Sequence, residues 1–231
     1  MNERNWEKYI FEFLSIFIAV ISAFALNNWN ENRREAYAEN KILIEISNGL
    51  EKDLDDIKLN VSGHKDGIAA CNYFREAFAG KSIETDSLMF HYFNLTRDFI
   101  SIQNIAGYET LKSKGLELID NDSLRLKIIS LYEYDYNALR KLEEEYSEMQ
   151  FQESYFKEIN EELAPSFIIG SNGFITGIDS PIRIQESERN KLLLYLWKIQ
   201  SNRDFILKYY SQIEKTISEV RENINSEIGA G

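Results

Sequence analysis

A single apolar run near the N-terminus constrains this chain more than any other feature of its sequence. From Tyr9 to Leu26 the run contains one charged residue, Glu12. Roughly 18 apolar residues form about the shortest helix that crosses the hydrocarbon core of a bilayer. The sequence therefore predicts a transmembrane helix at about residues 9–27, within a membrane anchor formed by residues 1–34.

Aromatic residues flank the apolar run on both sides. Trp6 and Tyr9 stand at its start and Trp29 follows its end. At about 1.5 Å per residue, Trp6 and Trp29 are roughly 34 Å apart along a helix, which matches the separation of the two headgroup interfaces. These three residues are predicted to be interface anchors.

Two other interpretations of the run are weaker. Ala23-Phe24-Ala25 resembles a signal-peptide cleavage pattern, but the charges before the run cancel, whereas a signal peptide has a positive leader. A helix buried in a globular core would need apolar partners on every side, and the rest of the chain has too few of them. The sequence therefore favours a helix that spans the membrane.

One face of the predicted membrane helix carries an acidic residue and small residues, which we call the stripe. Small residues at helical spacing let two helices approach closely in lipid, and a carboxylate can hydrogen-bond across such a contact. The stripe therefore predicts a membrane helix–helix contact. Two alternatives stay open: an ion pair of Glu12 with Lys8 one turn earlier, and a pathway for ions or protons. The stripe consists of Glu12, Ser15, Ala19, Ser22 and Ala23.

The remaining residues, 35–231, are predicted to form a soluble helical bundle, so the fold class is all-α. No proline precedes Pro165, and the membrane helix is expected to continue as a stalk to Gly80. Shorter helices are predicted at about 85–93 and 105–114.

Two long antiparallel helices are predicted to complete the bundle. The first is capped by Asp120-Asn121-Asp122 and is expected to reach Leu163 without a break. The second has a 4-3 repeat of apolar residues from Leu192 to Ile224, interrupted only by Arg203. Such a seam indicates packing along the whole helix, and it is also a predicted surface for assembly.

A segment of different character separates these two helices. Residues 166–184 are rich in glycine and in β-branched and aromatic residues, which predicts a small hairpin-like insert. Its apolar residues form a possible contact tip for a partner, although a connection folded back onto the bundle explains the sequence equally well. The tip residues are Phe167, Ile168, Ile169, Phe174 and Ile175.

The sequence predicts no catalytic residue, no cofactor and no metal site. His64 and His91 lack the spacing of metal ligands, and the acidic run Asp53, Asp55 and Asp56 lacks the remaining positions of a calcium loop. That run is expected to be a solvated helix face. The net charge of −12 argues against a nucleic-acid partner, whose phosphates need a basic surface.

Two stretches of the sequence resemble a known family. NNWNE at residues 27–31 closes the apolar run that Glu12 opens, and AGYETLKSKG at residues 106–115 precedes Leu124-Arg125. Together they resemble a bacterial family of uncharacterised single-pass membrane proteins, a domain of unknown function. The family often has a longer and strongly basic leader, whereas this leader is short and neutral. The resemblance implies an inner-membrane protein with a periplasmic domain, and it implies no activity.

The function expected from the sequence is that of a membrane-anchored scaffold or interaction module. Its expected partners are the lipid bilayer and either further copies of itself or another membrane protein. A ligand-sensing ectodomain and a small oligomeric channel are the alternatives, and an enzyme is not expected. Basic residues flank the apolar run equally, two on each side, so charge alone leaves the orientation open.

Overall fold

The structure is a computed structural model that describes residues 3–230, and most of these residues are helical. Seven α-helices and one two-stranded hairpin follow one another along this part of the chain. They are α1 (Glu3–Phe78), α2 (Leu88–Leu95), α3 (Ala106–Lys114), α4 (Asp122–Ser130), α5 (Tyr136–Glu144), α6 (Phe151–Leu163), β1 (Phe167–Ile169), β2 (Ile175–Ile178) and α7 (Glu186–Ala230). The predicted all-α class is confirmed.

The long helices α1 and α7 form the spine of the bundle and run antiparallel. Arg75 hydrogen-bonds Gln200 at one level, and Glu51 pairs with Arg221 further along. The predicted 4-3 seam of α7 is buried against the other helices of the same chain. Because its own chain occupies the seam, it is not free for assembly with another copy. Arg203 does not interrupt the seam, since its side chain is fully buried within it.

The helix predicted from Asp120 to Leu163 is not continuous, so this prediction was wrong. Its start is as expected, because the Asn121 side chain accepts a hydrogen bond from the Leu124 amide at 3.1 Å. A π-helical turn, Leu131–Asp135, joins α4 to α5, and the chain then bends before α6. The bend is stabilised by a distant residue, since the Asp98 carboxylate accepts from the Phe151 amide at 2.6 Å and caps α6.

The predicted hairpin is present at the end of the bundle where α1 ends and α7 begins. Phe167 pairs with Ile178 and Ile168 with Gly177 in antiparallel register. Gly173 has φ of +81° in the connecting turn, a conformation that favours glycine.

Candidate functional site

The N-terminal part of α1 stands outside the bundle as an apolar stem, residues 9–26. Within residues 3–230 it provides the one helical segment long and apolar enough to cross a membrane, and no part of that segment is buried. By the same criteria it fits a signal sequence. Its large exposed apolar side chains are Tyr9, Ile10, Phe11, Phe13, Leu14, Ile16, Phe17, Ile18, Val20, Ile21, Phe24 and Leu26.

The five residues of the stripe are all exposed on the stem. Ser15 Oγ donates to the backbone oxygen of Glu12 at 2.8 Å, so the serine hydroxyl is satisfied within its own helix. Lys8 Nζ lies 4.0 Å from Glu12 Oε1, at the outer limit of an ion pair. The geometry is therefore compatible with both the local pair and a contact to another helix.

The ends of the stem carry the predicted interface anchors. Trp6, Tyr9 and Trp29 are exposed on α1, and the Arg33 guanidinium lies 5.8 Å from the centre of the Trp29 ring. At this distance the cation is attracted by the face of the indole ring.

The predicted contact tip is only partly turned outward. Ile168, Ile169 and Phe174 are exposed, whereas Phe167 and Ile175 are half-buried. The Phe167 ring packs edge-on against Tyr92 at 5.1 Å, which fixes the hairpin on the bundle. Three of the five predicted tip residues therefore remain available to a partner.

Sequence reasoning missed an extended segment, residues 96–105, which we call the strap. It connects α2 to α3 and runs antiparallel along α1, from Phe99 beside Gly63 to Asn104 beside Asp53. The 10 residues of α1 between these contacts rise about 15 Å, and the 5 residues of extended strap span about 16 Å.

Carboxylates of α1 hold the amides of the strap. Asp53 accepts from the Asn104 amide at 2.7 Å and from the Tyr136 hydroxyl at 2.6 Å, and Asp56 accepts from the Ile102 amide at 2.9 Å. Asp53 is only 2% exposed, so the prediction of a solvated acidic face was wrong for this residue. An extended segment beside a helix has unpaired amides, and the carboxylates turn inward to satisfy them.

A third carboxylate reaches the strap from α5. Glu143 accepts from the Ser101 amide at 3.1 Å, from the Ser101 hydroxyl at 2.9 Å and from the Tyr210 hydroxyl. Burial raises the pKa of Glu143 to about 7, and the hydrogen bonds from Tyr210 and Ser101 oppose that shift.

Arg203 closes the start of the strap from the α7 side. Its Nη2 donates to the carbonyl oxygens of Asn94, Leu95 and Arg97 at 2.9–3.2 Å, and its guanidinium stacks 4.3 Å from the centre of the Phe151 ring. An arginine inside an apolar seam was the sequence signal that could have revealed this contact.

Glycines of α1 make room for these close approaches. A Cβ at Gly67 would lie 2.3 Å from Arg203 Cζ, and a Cβ at Gly63 would lie 2.1 Å from the Phe99 ring. The two glycines are four residues apart on the face that receives the strap. Their spacing was a second signal in the sequence.

A family of unknown function (DUF6090) matches residues 12–174, which is more than two thirds of the chain. The chain belongs to the DUF6090 family. No curated protein and no solved structure gives a significant match.

The DUF6090 match begins at Glu12 and therefore includes residues 12–26 of the stem, the strap and the carboxylates that hold it. Arg203 and Tyr210 lie beyond the matched residues, on α7. The strap contact of this DUF6090 protein thus joins matched helices to a helix outside the match.

The surface of this DUF6090 protein also has an apolar groove between α1 and α2, with a volume of about 520 Å³. Leu59, Phe90 and Phe93 are its exposed walls, and Asp66 and Arg97 lie among its lining residues.

Across residues 3–230, no group of three or more His, Cys, Asp or Glu side chains is arranged to hold a metal ion.

Proposed function

We propose that this DUF6090 protein is a membrane-anchored helical scaffold that assembles with further copies of itself or with another membrane protein. Its stem spans a bacterial inner membrane once, and the bundle projects into the periplasm. The single observation that carries the proposal is the exposed apolar stem, which is continuous with a packed helical bundle in α1.

The exposure of the stem supports insertion into lipid. Covering a large apolar side chain is worth about 1.5–3 kcal/mol, and the stem exposes twelve such side chains along one helix. A bilayer covers all sides of a helix at once, whereas a protein groove covers one. Trp6 and Trp29 at the two ends support the same placement.

The dimensions of α1 support a scaffolding role. From Asn27 to Phe78 the helix rises about 78 Å, so the hairpin end of the bundle would lie roughly that far from the bilayer. Charged and polar contacts hold the strap between the helices, which gives the bundle a defined shape. A rigid bundle on a long helix holds a binding surface at a fixed distance from the bilayer.

Native mass measurement of the detergent-purified full chain tests assembly. The proposal predicts two or more copies, or a stable complex with a second membrane protein. Ala19→Leu and Ala23→Leu enlarge the stripe and should weaken assembly by about an order of magnitude. Ala25→Leu makes the same change on the opposite side of the stem and is the matched control. A single-copy mass, or equal effects of all three substitutions, would contradict the proposal.

Cysteine labelling tests membrane insertion and orientation separately. Cys71 is buried and is replaced by alanine to provide a background. A cysteine at Lys127, on the exposed surface of α4, should react with a membrane-impermeant maleimide once the outer membrane is opened. A cysteine at Lys8 should react only after the inner membrane is lysed. The reverse pattern would show the opposite orientation, and reaction of both in the soluble fraction would exclude a membrane anchor.

A further inference from the structure

We infer that α1 pairs in parallel with α1 of a second copy, along a face that begins at the stripe and continues outside the membrane to the groove at Leu59. The inference rests on the proposed function and specifies its partner and contact. It starts from the residues of α1 that stay exposed between the stem and the bundle.

The segment between stem and bundle, residues 27–37, is exposed along its whole length, and we call it the neck. One side of it, at Glu35 and Ala36, lines a cavity with the end of α3, and the first hydrogen bond to the bundle joins Glu39 to the Asp120 amide. A helix exposed along its length is stabilised mainly by its own backbone and by its two ends. A second α1 alongside would cover the side of the neck that faces away from this cavity.

One side of α1 stays exposed from the stem to Leu59. Tyr37 follows Ala19 by 18 residues, about five turns, and Leu59 follows Ala23 by 36 residues, about ten turns. Tyr37 and Leu59 are 75% and 73% exposed, so both are accessible to a partner, with Leu59 in the wall of the groove beside α2. The face that carries Ala19 and Ala23 in the stem is therefore the face that stays open beside the bundle.

The spacing of residues through the neck favours pairing of two parallel helices. Ala19, Ala23, Leu26, Asn30, Arg33 and Tyr37 alternate at intervals of four and three. An asparagine at one core position of such a repeat hydrogen-bonds its counterpart in the second helix and fixes the register. Two copies inserted in one membrane in the same orientation bring their Asn30 residues to the same height.

The groove at Leu59 is suited to contact with an identical groove. A two-fold axis beside α1 places the Leu59, Phe90 and Phe93 side chains of the two copies against each other. Asp66 and Arg97 carry opposite charges in the same groove, and a two-fold axis lets Asp66 of one copy face Arg97 of the other. The groove of one copy is thus complementary to the same groove of the second copy, both in its apolar side chains and in its charges.

Disulfide cross-linking in native membranes tests this contact. Single cysteines are placed at Asn30, Tyr37 or Leu59 in the full chain with Cys71→Ala. Asn28 and Glu35 are exposed on the opposite side of the neck at nearly the same heights, and cysteines there are matched controls. The contact face should yield at least about fivefold more covalent dimer than the controls after mild oxidation. All these positions are exposed, so the fold is expected to tolerate the changes.

The outcomes separate the inference from the proposed function. Strong cross-linking at Asn30, Tyr37 and Leu59 supports the continuous face. Cross-linking that is equal on both sides, or confined to a cysteine at Ala23 in the stem, overturns the inference while leaving assembly intact. A complex whose mass shows one copy with a different membrane protein overturns the inference but supports the scaffold. A single-copy mass overturns both.

Discussion

The Arg203 guanidinium donates a hydrogen bond to Nδ1 of His64 at 3.1 Å, in the fully buried centre of the bundle. Burial and the Arg203 charge lower the pKa of His64 to about 3, so the ring is neutral and its Nδ1 accepts. Burial also lowers the pKa of Arg203 to about 10, which leaves it charged at neutral pH. Its direct hydrogen-bond acceptors are thus a neutral ring and backbone carbonyl oxygens, and the nearby Asp98 carboxylate favours its charge.

Replacing Arg203 by alanine should destabilise the full chain by about 3 kcal/mol, because three carbonyl oxygens of the α2–strap junction and His64 lose their donor. Urea unfolding in detergent, followed by tryptophan fluorescence, measures the change. Arg140→Ala removes an exposed arginine of α5 and should shift the free energy of unfolding by less than about 0.5 kcal/mol. Equal losses in the two variants would show that the buried contacts contribute little.

Gly67→Ala and Gly63→Ala should each lower the free energy of unfolding by about 1–3 kcal/mol, since the added methyl group would overlap Arg203 or Phe99. Gly229→Ala serves as the comparison, because it lies in α7 with no atom within 4 Å of the added Cβ. Alanine favours a helix over glycine, so that variant should be neutral or slightly stabilised. Thermal unfolding of the three variants distinguishes a steric clash at Gly63 and Gly67 from a loss of stability at any glycine that is replaced by alanine.

Asp53→Ala should release the strap at Asn104, whereas Asp55→Ala, two residues further along α1, should not. Asp53 is buried and accepts a hydrogen bond from the Asn104 amide, while Asp55 is exposed and accepts a hydrogen bond from Lys58 at the surface. Hydrogen exchange of the Asn104 amide should accelerate at least about tenfold in Asp53→Ala alone, because the amide loses its acceptor. Unchanged exchange in that variant would mean that other contacts hold the strap.

Glu143→Gln should remove a pH dependence of stability. The pKa of Glu143 is about 7 in the folded chain and has a usual value of 4.5, so the folded state holds a proton that the unfolded state has released between these values. The contribution of Glu143 to the free energy of unfolding therefore falls as pH rises through this window, by up to about 1.4 kcal/mol per pH unit. Glu143→Gln should lack this fall, and unfolding measured from pH 5 to 8 compares the two proteins.

His64, which packs against Tyr210, changes the free energy of unfolding with pH in the direction opposite to Glu143. Its pKa is lowered in the folded chain, so its contribution to stability is present above its usual value of 6.5 and is lost as pH falls below it. Both proteins contain His64, so its contribution cancels in their difference. Glu144→Gln changes an exposed neighbour and should keep the wild-type slope. A parallel slope in Glu143→Gln would show that this carboxyl titrates normally.

The elements that could be predicted from sequence are those fixed by local periodicity. The apolar stem, the length of α1, the α7 seam and the hairpin all follow from spacing within one segment. The bend between α5 and α6 could not be predicted, because Asp98, about 50 residues earlier, caps α6. The strap was missed for the same reason, since Asp53, Glu143 and Arg203 reach it from three separate helices.

The uninterrupted course of α1 has a mechanical consequence. A helix without a hinge transmits an inclination of its apolar end to its far end. Over about 78 Å, leaning the stem by roughly 10° displaces the hairpin sideways by about 14 Å. Membrane-spanning helices commonly lean by about 20° and adjust to bilayer thickness. If the stem spans a bilayer as proposed, a change in the thickness of that bilayer would therefore displace the distal surface of this protein sideways.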